Sequence, residues 1–142
     1  MQIAIDASVL VGELLRRRGR LMLQHDSLIL YATEKVWEET KYEIGKRTKA
    51  IAARNLMTEE QQKRLCEAAI SLGSEVLDIV PFAKLQNYLA EAAIRIPRDP
   101  LDMPTVALAL LTGSDIWTLD NDFLGCGIAT WTTETLYLQL KE

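Results

Sequence analysis

Short apolar runs alternate along this chain with longer stretches in which apolar positions recur at helical spacing. The first run, Gln2 to Ile5, reads as a buried strand closed by Asp6; Ser8 is placed to cap the helix that follows and Gly19 to end it. Residues 28–32 are the next strand pattern, and Thr33 is positioned to cap a helix over residues 34–56. Within that helix Val36, Thr40, Ile44 and Ile51 fall near one face, while Glu39, Glu43 and Lys46 share another. Thr58-Glu59-Glu60-Gln61 has the form of a capping box and opens a helix that runs towards Leu72-Gly73. Residues 76–80 are a third strand, after which Pro81 opens a helix to about Ile94. Asp99 before Pro100 reads as a helix N-cap, and the Ala- and Leu-rich helix behind it stops at Gly113. A strand over residues 116–119 ends in Asp120 and Asp122. A last strand covers residues 128–131, and Thr132 or Thr133 caps a C-terminal helix. Such alternation predicts an α/β sandwich around a mostly parallel sheet of four or five strands.

Composition narrows the class without naming an activity. At 142 residues the chain has the length of one domain spanning 1–142, with 49% hydrophobic and 25% charged residues, as expected of a folded protein. A formal net charge of -4 advertises no polyanion, so any nucleic acid would have to meet a local basic patch. Two distant cysteines, Cys66 and Cys126, lack metal-ligand spacing and fit a reducing compartment. With no signal-peptide pattern and no bilayer-length apolar run, a cytoplasmic, membrane-free protein is expected.

Chemistry is concentrated in the acids. In parallel sheets ligands sit beyond the carboxyl ends of the strands where strand order reverses, and Asp6 and Asp120 each follow a strand. If their strands are neighbours there, both carboxylates face one crevice. With Glu39 and Asp102 they form an oxygen-only set suited to a hard divalent cation. Each acid also has a plainer reading. Asp102 can cap a helix with Pro104 in its first turn, Asp120-Asn121-Asp122 can be a polar turn, and Glu39 alone suits a solvated helix face. Asp6 is harder to dismiss, because an acid closing a buried strand pays for desolvation unless something pairs with it.

Several of these segments resemble the PIN-domain (PilT N-terminus) nucleases. Ile-Asp-Ala-Ser-Val-Leu-Val at Asp6 is similar to the opening of that family. Val-Trp-Glu-Glu-Thr resembles its second acidic element with Glu39 aligned, Asp-Pro-Leu-Asp-Met-Pro-Thr its third with Asp102, and Thr-Leu-Asp-Asn-Asp-Phe its fourth with Asp120. The ordered set spans nearly the whole chain; residues 56–97 carry no matching motif, and Ser8 stands where many members have Asn or Thr. The resemblance implies a three-layer α/β/α fold and a Mg2+- or Mn2+-dependent endoribonuclease similar to the VapC-type toxins. An antitoxin partner and a homodimer are implied in the same way. Asp6, Asp102 and Asp120 would hold metal, with Glu39 and Asp122 contributing, while Ser8 and Thr118 would orient the ligand carboxylates.

Among the cations, Lys46 on the face of Glu39 is a candidate phosphate contact; Arg47, Lys49 and Arg54 extend that patch, though at helical spacing they cannot all face one way, and Arg16 is a further candidate for RNA. The run from Arg16 to Arg20 equally suits a solvated surface. His25, the only histidine, lies in a polar turn away from the acids, and Trp37, Trp117 and Trp131 sit among apolar neighbours as core residues. Two rival functions stand beside the nuclease: a catalytically silent PIN-like module that binds RNA or protein, and a magnesium-dependent phosphatase of another α/β family. One such phosphatase family would show a second Asp two residues after Asp6, where Ser8 stands.

Overall fold

The computed structural model describes residues 1–141. Five strands form one sheet: β1 (Gln2–Ile5), β2 (Ile29–Thr33), β3 (Leu77–Val80), β4 (Asp115–Trp117) and β5 (Thr130–Trp131), in the spatial order β3-β2-β1-β4-β5. Every neighbouring pair is parallel, so all carboxyl ends share one edge. The order reverses at β1, which pairs with β2 on one side and β4 on the other, and the crevice expected of such a reversal opens there. β1 is buried on both faces, which is why it reads as a continuous apolar run.

Helices cover both faces of the sheet. Ile3 and Ile5 point into a core built with α1 (Ala7–Leu15), α2 (Arg17–Leu23), α3 (Glu34–Arg54), α4 (Glu59–Val76) and α7 (Thr133–Lys141). Ala4 faces a second core, completed by α5 (Leu89–Arg95), α6 (Met103–Thr112) and a 3₁₀ turn over Phe82–Tyr88. The architecture is a three-layer α/β/α sandwich. No helix of the described residues is long and apolar enough to cross a membrane.

Most local signals act as their chemistry predicts. The Thr33 hydroxyl accepts from the Val36 amide at 3.0 Å, and Thr58 and Gln61 close their capping box at 2.8 and 3.1 Å. Trp117 is fully buried, and its indole N–H donates to Thr133 Oγ1 at 3.1 Å.

Two glycines read as helix stops are instead points of close approach. Gly19 lies inside α2, where an added Cβ would stand 2.4 Å from the Glu13 carbonyl; the helix actually breaks at Arg16, whose backbone is extended. Gly73 lies inside α4 against Trp37, 2.5 Å from the ring on the same construction, and the helix continues to Val76. Nor does Ser8 cap α1, which begins one residue earlier while the hydroxyl turns to Asp6. α3 ends at Arg54, and β4 and β5 are shorter than their apolar runs. Pro81 opens a 3₁₀ turn before α5 rather than one continuous helix.

Candidate functional site

Asp6 follows β1 and extends its ladder, its amide donating to the Trp117 carbonyl at 3.0 Å. Its carboxylate is buried, and Oδ2 accepts from both Ser8 Oγ (2.8 Å) and Thr118 Oγ1 (3.0 Å). Thr118 Oγ1 in turn accepts from the Asp120 amide at 2.9 Å, and Ser8 Oγ from the Leu119 amide at 3.3 Å. Two hydroxyls therefore stitch the ends of β1 and β4 together and hold the Asp6 carboxylate in one orientation.

Asp102 occupies the N-cap position of α6 without capping it. An N-cap side chain normally accepts from the second or third helical amide, but the second residue here is Pro104, which has no N–H. The Thr105 amide is used by the Asp102 carbonyl at 3.1 Å. The carboxylate is left over, and its Oδ2 is buried with no hydrogen-bond partner among the described residues. Burial, followed by the negative charges of Asp6, Asp99 and Asp120, pushes Asp102 up from 3.8 to about 7.

Asp99 was expected to cap the helix, but α6 begins only at Met103. Asp99 instead forms a local turn, Oδ1 accepting from the Leu101 amide at 2.9 Å. Asp120 does the same with the Asp122 amide at 2.9 Å. One carboxylate oxygen from each of Asp99, Asp102, Asp120 and Asp122 lies within 4.8 Å of the others. None of these four, nor Asp6, has a Lys or Arg nitrogen within salt-bridge distance among the described residues; the ion pairs there all involve other acids.

The acids open onto a cleft of about 760 Å³ lined by Asp6, Asp99, Asp102 and Asp120 and, across from them, by α3. Of the acids singled out from the sequence, Asp6, Glu39, Asp102 and Asp120 all line this cleft, while Asp122 joins through the tight carboxylate group. Glu39 stands exposed on the α3 wall; it and the buried Asp6 both lie outside that group. The α3 residues on the cleft include Lys35, Glu39, Glu43 and Arg47, a ridge of every fourth position. That slant brings in Arg47 where a straight helical face suggested Lys46. Lys46 and Lys49 lie off the lining; the Lys46 amine rests 5.5 Å over the Tyr42 ring and 4.0 Å from Glu43. Arg16 pairs with Glu13 at 3.3 Å and is also off the cleft. Lys35 was missed from the sequence, Asp99 was read there as a cap, and Arg47 only as an extension of the Lys46 patch. The proline two places after Asp102 and the four-residue spacing along α3 were the available signals.

Oxygen-only donors, one of them buried and unpartnered, with no Lys or Arg paired to them among the described residues, fit a hard divalent cation. Without a cation, the same charges favour a proton on Asp102.

Fold and cleft together define an α/β/α protein with a carboxylate cluster at the switch point of a parallel sheet. A PIN-domain model matches residues 4–141, and the chain belongs to the PIN-domain family. Among solved structures it is similar to PAE2754 from Pyrobaculum aerophilum, with a TM-score of 0.68 and 14% identity over 99% of this chain and 96% of that one. It is also similar to VapBC2 from Rickettsia felis bound to a DNA fragment from their promoter, with a TM-score of 0.65 and 13% identity over 93% and 98%. At these identities the likeness is one of fold. No curated protein matches the sequence.

Proposed function

We propose that the chain is a metal-dependent endoribonuclease that hydrolyses RNA phosphodiester bonds, acting in the cytoplasm as the toxin of a toxin–antitoxin pair. The observation that carries this reading is the buried, unpartnered Asp102 oxygen, set among three further aspartates that have no Lys or Arg ion pair among the described residues. PIN-domain proteins are generally metal-dependent nucleases, which supports the same reaction class. The VapBC2 likeness supports an antitoxin partner, and the homodimer belongs to the same proposal.

Asp99, Asp102, Asp120 and Asp122 would hold Mg2+ or Mn2+, with Asp6 and Glu39 beside them. A divalent cation there would supply electrophilic activation of water and of the phosphodiester. Ser8 and Thr118 fix the Asp6 carboxylate, so the charge it presents to the cleft is already oriented. Asp102 carries a proton for part of the time near neutral pH and gives it up when a cation takes its place. Lys35 and Arg47 offer positive charge to backbone phosphates on either side of the acids.

The test is cleavage of single-stranded RNA with Mg2+ or Mn2+, against a chelator control. Asp6→Asn and Asp102→Asn are expected to abolish cleavage while circular dichroism stays that of the parent. Equal rates in parent and variants would end the assignment. Calorimetric metal binding without any cleavage would favour the silent module instead.

A further inference from the structure

Lys35, Glu39, Glu43 and Arg47 place a cation at each end of the α3 ridge and two carboxylates between. At 1.5 Å per residue the two cations are about 18 Å apart along the helix. Neither has an ion-pair partner among the described residues.

Each cation also shares its part of the wall with an exposed aromatic ring. Tyr42, 66% exposed, lines the main cleft with Arg47. At the other end a second recess of about 530 Å³ adjoins the cleft, sharing Thr33, Lys35, Glu38 and Pro104 with it. Phe82, 46% exposed, lines this recess next to Pro100 and Met103. Its backbone is not loose: the Phe82 amide donates to Glu34 Oε1 at 2.7 Å, tying the start of the 3₁₀ turn to the start of α3. That bond engages Glu34, and Glu38 is paired with Lys41 at 2.9 Å. Lys35 is thus the recess's one charge without a protein partner among the described residues.

Single exposed apolar residues are ordinary on a protein surface. Here one exposed ring lines the acid-lined cleft and another the recess that adjoins it, each with an unpaired cation among the described residues. Aromatic faces alternating with cations are what single-stranded nucleic acid requires, because its bases offer free faces and its backbone offers phosphates. A duplex has its base faces already stacked and gives such rings nothing to bind.

We propose that the α3 ridge is a track for single-stranded RNA. One unpaired base stacks on Phe82 with a phosphate on Lys35. A second base lies against Tyr42 with a phosphate on Arg47, and the phosphodiester between them faces the aspartates. This deepens the nuclease reading and rests on it for the position of the cut.

The experiment is fluorescence anisotropy with a short labelled RNA in an Asp102→Asn background with Mg2+, so that binding is read apart from cleavage. Phe82→Ala should weaken single-strand binding by about 5- to 100-fold, and Phe82→Trp should restore it. Lys35→Ala should lower the slope of log affinity against log salt by about 0.7, the share of one phosphate contact on a single strand. The same RNA annealed to its complement should bind at least roughly tenfold more weakly and be indifferent to Phe82. Thermal melts confirm that each variant folds. Phe82→Ala binding within about twofold of its background, a duplex bound as well as the strand, or no RNA bound at all, each overturns the track. Cleavage by the parent protein is scored separately. Cutting with Phe82-indifferent binding removes the track and keeps the nuclease; Phe82-dependent binding without cutting does the reverse.

Discussion

Replacing Asp102 by Asn should stabilise the metal-free protein, and only at higher pH. The carboxyl sits at about 7 in the folded protein against an ordinary 3.8, because burial and three neighbouring aspartates oppose its charge. Between those values the folded state holds a proton that the unfolded chain has released. Stability therefore falls as pH rises from about 4 to about 7 and is level above that. A shift of about three units corresponds to at most ~4 kcal/mol, and solvent screening of a half-buried carboxylate reduces this to about 1–2 kcal/mol. Asn carries the shape of the protonated acid and none of the charge. In a chelator at pH 8, Asp102→Asn should melt about 3–6 °C above the parent; at pH 5 the difference should shrink towards zero. Adding Mg2+ should reverse the order, since ligand binding stabilises whichever protein holds the cation. The assay is thermal unfolding by circular dichroism at both pH values, with and without metal. An Asn variant less stable than the parent at pH 8 without metal, or a gap that ignores pH, would refute the reasoning.

The same proton should appear in metal binding: below pH 7 the apparent affinity for Mn2+ should fall about tenfold per pH unit, with proton release seen by calorimetry in buffers of different ionisation enthalpy. Thr118→Val removes the hydroxyl shared by Asp6 and the Asp120 amide; about 1–3 kcal/mol of stability and roughly 10- to 100-fold in metal affinity should go with it, read by denaturant melts and calorimetry. Gly73→Ala drives a methyl against Trp37, so ~1–3 kcal/mol of overpacking should outweigh the ~1 kcal/mol that Ala adds to a helix and lower the melting temperature.

What was legible in the sequence was whatever depends on neighbours along the chain. Thr33 and Thr58 cap because their targets lie three residues on, and β1 is visible because both its faces are apolar. Gly19 and Gly73 misled for the converse reason. Each looks like a stop by local rules, but its missing Cβ makes room for Glu13 in the preceding helix and for Trp37 on α3. Asp99 before a proline obeys the cap rule on paper, yet the helix waits until Met103 and frees the carboxylate for the cluster. The acids on the cleft could be found as an ordered motif set, whereas the cations could not. The four-residue spacing along α3 was the one signal for Arg47, and which of Lys46 and Arg47 reaches the cleft is decided by how α3 packs on the sheet.

The distribution of paired and unpaired acids separates what stabilises this fold from what it is for. Away from the cleft Glu59, Glu60 and Glu91 each meet a Lys or Arg four residues away, an arrangement worth a few tenths of a kcal/mol apiece. The cleft aspartates lie in loops and strand ends, where no helical neighbour can supply that partner. Pro104 removes the amide that could have served Asp102, and Thr118 spends its hydroxyl on fixing Asp6. If charge repulsion at the crevice were only a cost, one lysine on the α6 side would end it. The chain instead concentrates the repulsion at the crevice, and two cations unpaired among the described residues, Lys35 and Arg47, stand across the gap on α3. Aspartates fixed on one wall, facing a helix of mixed charge with an unpaired cation at each end of its ridge, are suited to a cation bridged to a phosphate, and the upward shift of Asp102 shows how strongly that arrangement is built in.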